Sequence, residues 1–261
     1  MLKSYKKTKI KTNSYKLLQL SFFFLLLGIS YACTKDEDNN HIKNPNEEIT
    51  DSINSSEIEN EPIMKTDTIL VNGFETVDLG LSVRWATCNV GADYPEEFGD
   101  YYSWGEIKNS ENNRGWVGYK WCNSSWGVMI KYCTKSNSRY GTVDYKTTLE
   151  QEDDIAHLSR GESWRIPTKN EFKELMDSCI WSWTTIFLNE SKTDSINGYK
   201  VVGTNGNSIF LPAAGFYGEH GLKNRNKSVC YWSSTLFDFV ECHSAYCLYF
   251  NKEQYSLKYG N

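Results

Sequence analysis

The clearest helix signal of the chain is the segment Trp164-Arg165-Ile166-Pro167-Thr168-Lys169-Asn170-Glu171-Phe172. Thr168 is suited to cap the first turn, and Glu171, three residues later, is suited to return a hydrogen bond to the cap, which makes a capping box. The apolar residues that follow recur at i, i+3, i+4 and i+7: Phe172, Leu175, Met176 and Cys179. Because this spacing forms one stripe on a helix, we predict a helix from 168 to about 179 with one buried face.

A second, weaker helix signal precedes the first. It runs from 150 to 159, with Ile155 and Leu158 expected to face inward and Gly161 just beyond its end. Asp153 and Asp154 lie on this helix among other acidic residues, so we interpret them as solvated charge. The alternatives are an acid pair or half of a Ca²⁺ site.

The strand signals flank these helices. Asn205-Gly206 separates two β-prone runs, 199–203 and 208–211, and Asn-Gly predicts a tight hairpin because both central residues accept positive φ. Further short strands are predicted at 68–71, 77–86, 231–235 and 245–250. Together with the helices, they predict an α+β domain of short antiparallel strands and long loops over 68–261.

The first 32 residues have the layout of a lipoprotein signal peptide. Six lysines precede the apolar run Leu17 to Ile29, which is too short to cross a bilayer, and Ala32-Cys33 follows. The alternatives are a generic secretory signal or an uncleaved anchor. We expect Cys33 to carry the lipid, so that the lipid anchors the chain to the membrane.

Residues 33–67 are expected to form a flexible acidic tether. From Lys35 to Asp67 the chain has ten acidic residues and three lysines. The net charge of −5 becomes −11 once the six signal lysines are removed. Clustered Lys and Arg are missing, so nucleic acid is not an expected partner.

Ordered motifs along the domain resemble one family. The resemblance is carried by segments 77–91, 97–106, 119–123, 131–134, 152–154, 164–168, 197–201, 205–215 and 231–234. In this order they are similar to the Fibrobacter succinogenes major paralogous domain, which is common in surface proteins of Bacteroidetes. Lys35-Asp36-Glu37-Asp38 resembles the acidic tag that directs lipoproteins of that phylum to the outer leaflet of the outer membrane. The resemblance implies a lipid-anchored protein facing the cell exterior.

The segment from Arg165 to Glu171 is also similar to the formylglycine-generating-enzyme branch of the C-type-lectin-like fold. That resemblance implies a single domain with two helices, short antiparallel strands and long loops. Relatives end in a closing strand that the residues before Asn261 do not match, so we expect this strand to be absent, shortened or replaced.

Eight cysteines in an exported chain point to disulfides. Cys122 and Cys133 flank a loop in motifs that match the family, and we expect them to pair. The pairing of the other cysteines is left open. Cys242 and Cys247 belong to a stretch similar to the copper-binding Cys-His-x-x-Tyr-Cys of formylglycine-generating enzymes, which gives a copper-dependent thiol oxidase as an alternative.

Other sequence signs argue against an enzyme. The chain has no Gly-x-Ser-x-Gly elbow, no His-Glu-x-x-His and no phosphate-cradling loop, and its four histidines do not have metal-ligand spacing. We therefore expect no cofactor and a non-enzymatic recognition domain that binds a glycan or a protein, as in adhesion. The candidate ligand-binding aromatics are Trp116, Trp121, Trp126, Trp181 and Trp183; core packing is the alternative for each. A structural or fimbria-associated surface component is the second class.

Overall fold

The computed structural model describes residues 67–109, 116, 118–123, 127–135, 140–218, 221–238 and 244–260, all within one compact unit. The signal segment, Cys33, Trp126 and Cys242 lie outside them. The strands are β1 Thr68–Val71, β2 Phe74–Val77, β3 Trp85–Ala86, β4 Ile180–Phe187, β5 Ser195–Val202, β6 Ser208–Pro212, β7 Phe216–Gly218, β8 Gly221–Lys223, β9 Ser228–Phe237, β10 Ser244–Asn251 and β11 Tyr255–Gly260. The helices are α1 Ile155–Arg160 and α2 Lys169–Ser178, and a 3₁₀ turn covers Gln151–Asp153. This is the predicted α+β class.

The described strands form small antiparallel sheets. Three of these sheets have three strands each, in the orders β1-β2-β3, β4-β5-β6 and β11-β10-β9, and β7 pairs with β8. The hairpin predicted around Asn205-Gly206 is confirmed: it joins β5 to β6, with Val202 opposite Ser208 and Gly206 at φ +86°. The strand predicted over 77–86 is wrong in its middle, because only its two ends pair, as β2 and β3.

The helix α2 confirms the capping prediction. The Thr168 side-chain oxygen accepts from the Glu171 backbone N–H at 3.3 Å, and the Glu171 carboxylate accepts from the Thr168 backbone N–H at 2.7 Å. Phe172 and Leu175 are buried, and Met176 and Cys179 pack half-buried against the same core. The apolar stripe therefore seats α2 on the sheets as expected.

The helix predicted over 150–159 is split and rotated. Its first turn is the 3₁₀ turn, and α1 begins after Asp154, whose carboxylate accepts from the backbone N–H groups of Ala156 and His157. Leu158, predicted to face inward, is 49% exposed, whereas Ala156 and Arg160 are buried. The capping bonds of Asp154 restart the helix and turn its inward face by about two residues.

Residues distant in the sequence meet in the main core. Val77, Leu175, Tyr199, Leu248 and Phe250 belong to one cluster of buried side chains, which come from six of the strands, α2 and the connecting loops. The strand β11 pairs with β10 along its whole length, so an outer strand is present near residue 260.

Candidate functional site

The acidic pair Asp153 and Asp154 is buried, which corrects the prediction of solvated charge. Asp153 is 1% exposed and Asp154 is 3% exposed. The Asp153 carboxylate accepts from Lys120 Nζ at 3.0 Å, Lys131 Nζ at 2.5 Å and the Tyr132 hydroxyl at 2.5 Å. The reason is that two lysines and a tyrosine from a distant loop compensate the buried charge, a partnership that local sequence does not show.

Lys131 fills the place where these acids would hold a metal. Among the described residues, Glu150, Glu152 and Asp153 have oxygens close enough to share an ion. Lys131 Nζ lies 2.6, 3.2 and 2.5 Å from their respective oxygens. Burial raises the pKa of Asp153, but the hydrogen bonds from Lys131, Tyr132 and Lys120 outweigh it and hold that pKa below its ordinary value. The cluster is therefore an ion-pair network built from the protein's own cation.

Two of the predicted aromatics, Trp116 and Trp121, pack near this network. The Trp121 indole N–H donates to the Gly105 carbonyl at 2.9 Å, and Lys120 Nζ lies 4.1 Å from its ring centre. Trp116 packs edge-on against Tyr119, with ring centroids 6.0 Å apart. Both are half-buried and are used in packing.

The disulfide expected from the family resemblance is not formed in the structure. Cys122 is half-buried and Cys133 is buried. The Cys133 sulfur lies 3.7 Å from both the Lys135 and the Tyr140 carbonyl oxygens. The pairing stays a prediction.

The other two described aromatics, Trp181 and Trp183, share one face of β4. Trp181 donates to the Leu175 carbonyl at 3.1 Å and stacks on Tyr255, with ring centroids 4.5 Å apart. Trp183 packs edge-on against Tyr199, with ring centroids 5.2 Å apart, and stays half-buried. The structure thus brings Trp181 and Trp183 together and does not group them with Trp116 and Trp121 in one packing cluster.

Trp183 lines a groove of about 540 Å³ where the sheet β4-β5-β6 meets the sheet β11-β10-β9. We call it the Trp183 groove. Its second aromatic is Tyr249, half-buried on β10, with Lys258 Nζ 3.4 Å from its ring centre. The polar lining residues are Thr185, Asn197, Asn224, Asn226, Lys227, Ser228, Asn251, Lys252 and Glu253. Aromatic walls with converging amides, hydroxyls and charges are the composition of a small polar-ligand site.

Asparagine side chains fix the shape of the Trp183 groove. Asn226 accepts from the Asn197 backbone N–H at 2.9 Å and donates to the Ser195 carbonyl at 2.9 Å. Asn197 in turn accepts from the Thr185 hydroxyl at 2.7 Å. Asn226 has φ +63°, a left-handed conformation that asparagine tolerates better than most residues. These bonds tie β4, β5 and the loop before β9 into one preorganised wall.

Ser228 places an unsatisfied hydroxyl in the groove lining. The residue is 3% exposed, and among the described residues its Oγ has no hydrogen-bond partner. Leaving a buried hydroxyl unbonded costs about 1 to 3 kcal/mol, so native structures rarely retain one without a reason. The oxygen is covered in the structure, so a hydroxyl or carbonyl group of a ligand would bond to it after a small movement of the groove wall.

The turn after β10 supplies the charged rim of the groove. Lys252 and Glu253 are exposed, and the Tyr199 hydroxyl donates to the Lys252 carbonyl at 3.3 Å, which anchors the turn to the core. Burial raises the pKa of Tyr199, with the nearby Tyr255 and Glu253 adding to the effect, so the phenol stays protonated and keeps this bond. The rim therefore has fixed backbone and mobile charged side chains.

A larger cavity of about 1030 Å³ lies elsewhere in the domain. It is lined mostly by aromatic and aliphatic side chains, among them Trp85, Trp104 and Phe172. Its buried guanidinium, Arg160, already donates to the Cys88 and Asn89 carbonyls, at 3.1 and 2.7 Å, and so is committed to the fold. The Trp183 groove differs from this cavity in that most of its lining residues are polar.

Sequence reasoning found Trp183 but missed the rest of the groove. Ser228, Tyr249 and Asn251 come together with Trp183 only through strand register, and no local pattern marks them. Comparison of the chain with known proteins gives no match to a protein family, a curated protein or a solved structure. Among the described residues, none of the helices has the length and apolar character needed to span a membrane.

Proposed function

We propose that this chain is a recognition protein that binds a glycan in the Trp183 groove. One observation carries the proposal: Ser228, whose buried hydroxyl has no partner among the described residues, lines the same groove as the half-buried ring of Trp183. Sugars offer an apolar ring face that stacks on an indole and hydroxyls that hydrogen-bond with amides and hydroxyls. The groove's volume of about 540 Å³ lies within the range of known ligand sites.

We infer the anchor, the tether and the location of this domain from the sequence. The chain is an outer-membrane lipoprotein, anchored through Cys33 and held off the bilayer by its acidic tether, with the domain facing the cell exterior. The resemblance to the Fibrobacter succinogenes major paralogous domain, and to the formylglycine-generating-enzyme branch of the C-type-lectin-like fold, supports this placement. Binding at the surface without catalysis or cofactor makes it an adhesion or capture protein. Labelling with fatty acid tests the anchor: the wild-type chain should incorporate the label, and a Cys33→Ser variant should not.

Glycan binding is tested with the full-length chain in detergent on an array of bacterial and mucosal oligosaccharides, followed by titration of any oligosaccharide bound. Trp183→Ala should weaken binding about tenfold or more, as central aromatic contacts do. Tyr94→Ala is the matched control, because this tyrosine is 61% exposed and outside the groove lining. Equal binding by wild type and Trp183→Ala would refute the site.

Ser228→Ala separates a binding role from a structural one. The substitution removes the unsatisfied hydroxyl, so we expect the free energy of unfolding to stay equal or rise by up to about 1 kcal/mol. Glycan affinity should nevertheless fall several-fold, because a ligand hydrogen bond is lost. A loss of stability together with unchanged affinity would contradict the proposal.

A further inference from the structure

Two cysteines on neighbouring strands share one face of the sheet β11-β10-β9. Cys230 lies opposite Tyr249, and Cys247 lies opposite Trp232. Residues two apart on a strand face the same side, so the two cysteines are diagonal neighbours across β9 and β10. The ladder is irregular between Ala245 and Cys247, on the side of Cys247 that is away from Cys230.

The two neighbouring thiols influence each other's ionisation. Cys247 lowers the pKa of Cys230, and Cys230, together with burial, raises the pKa of Cys247. Cys230 is half-buried, whereas Cys247 is 1% exposed. Lys258 lies opposite Cys247 on β11 and favours negative charge on both sulfurs. The arrangement therefore has a half-buried thiol of lowered pKa on the strand next to a buried thiol.

We propose that Cys230 and Cys247 form a reversible disulfide by exchange with a disulfide-bearing oxidant, either a small disulfide or that of a thiol oxidase. The Cys230 thiolate attacks one sulfur of the oxidant and breaks its S–S bond, which forms a mixed disulfide and releases the other sulfur as a thiolate. Cys247 gives its proton to that thiolate and attacks the Cys230 sulfur, which forms the intramolecular bond and releases the second sulfur as a thiolate that takes a proton from water. Two protein thiols are oxidised and one disulfide is reduced to two thiols.

The register explains why this disulfide is reversible. Diagonal neighbours lie farther apart than the partners of an unstrained disulfide, so closing the bond deforms the ladder, and strained disulfides are reduced more easily. Exported proteins meet disulfide oxidants, so the proposed location of the chain supplies the co-reactant. Nothing in the pairing depends on glycan binding.

Peptide mapping tests the pairing directly. The full-length chain is equilibrated with glutathione and glutathione disulfide, its remaining thiols are alkylated, and it is cleaved at Glu241 and Tyr246. These two residues separate Cys230, Cys242 and Cys247 from one another, whereas no Lys or Arg lies between 230 and 247 to allow a tryptic cut. We expect a cross-linked pair of peptides that contain Cys230 and Cys247 and that excess glutathione separates.

Two Cys→Ser variants identify which cysteines form the cross-link. Cys230→Ser should leave Cys247 alkylated, and Cys242→Ser should leave the cross-link intact. Full alkylation of both cysteines under oxidising glutathione would overturn the proposal, as would a Cys242–Cys247 cross-link. If Cys230→Ser fails to fold, the wild-type map with the Cys242→Ser map still decides the question.

Discussion

Replacing Asp153 by Asn tests whether the buried ion-pair network holds the segments 118–123 and 127–135 to the 3₁₀ turn before α1. The wild-type carboxylate accepts three hydrogen bonds, from Lys120, Lys131 and Tyr132. Asparagine keeps one acceptor oxygen and turns an NH₂ group toward the remaining donors, so at least one bond is lost. The charge that compensates the lysines is lost as well.

The expected cost is about 3 kcal/mol in the free energy of unfolding. Removing one partner of a buried ion pair costs roughly 3 to 5 kcal/mol. The lower end applies because Lys131 retains Glu150 and Glu152, and because the side chain of Lys120 is 43% exposed to water. Urea unfolding of the full-length chain, with the midpoint shifted and the slope unchanged, measures it.

Glu152→Gln is the matched control. It removes a carboxylate from the same lysine at 3.2 Å, but its side chain is 66% exposed, so the cost should stay below about 1 kcal/mol. Equal stability of Asp153→Asn and wild type would refute the network's structural role.

The network also sets the direction of the acid response. The pKa of Asp153 lies below its ordinary value, and hydrogen bonds from Lys131 and Lys146 lower the pKa of Glu150 to about 2. Carboxylates with lowered pKa stabilise the fold above their ordinary pKa, and this contribution is lost as pH falls toward the folded value. Stability should therefore decline below about pH 5 and decline less in Asp153→Asn.

Thr168→Ala removes the cap of α2 and should cost about 1 kcal/mol, measured by urea unfolding with Lys173→Ala on the exposed face of the same helix as control. Gly203→Ala should cost about 1 to 3 kcal/mol, because its new Cβ would lie 2.2 Å from the Leu79 carbonyl oxygen. Gly218→Ala, whose Cβ would meet only the Lys223 side chain at 3.4 Å, should be nearly neutral, and equal melting temperatures for these two alanine variants would contradict the packing argument.

Local chemistry made parts of the fold predictable. Two features could be placed from sequence alone: the cap formed by Thr168 and Glu171, and the Asn205-Gly206 turn. Each depends only on residues a few positions apart in the chain. The predictions for Asp153 and Leu158 were wrong for a similar reason. The burial of Asp153 depends on Lys120 and Lys131, the exposure of Leu158 follows from where Asp154 caps α1, and no periodicity encodes those partners.

The candidate site was less predictable than the fold. Trp183 could be named as an aromatic near a helix, but Ser228 becomes a candidate only because its buried hydroxyl has no partner in the described part of the chain. The diagonal placement of Cys230 and Cys247 likewise needs the pairing of β9 with β10, since their spacing of seventeen residues fits many arrangements. Strand register therefore carries information about both sites that residue spacing does not.

The packing of Val77 and Leu79 against Leu248 and Phe250 sets the order of events during synthesis. About 170 residues separate the two halves of this cluster, so a ribosome adding 5 to 20 residues per second needs roughly 10 to 30 s to supply the second half. Until then the core that β2 packs against is incomplete. The emerging chain therefore exposes apolar surface that chaperones bind. Folding of this domain is therefore completed after translation of its last strands rather than strand by strand from the beginning.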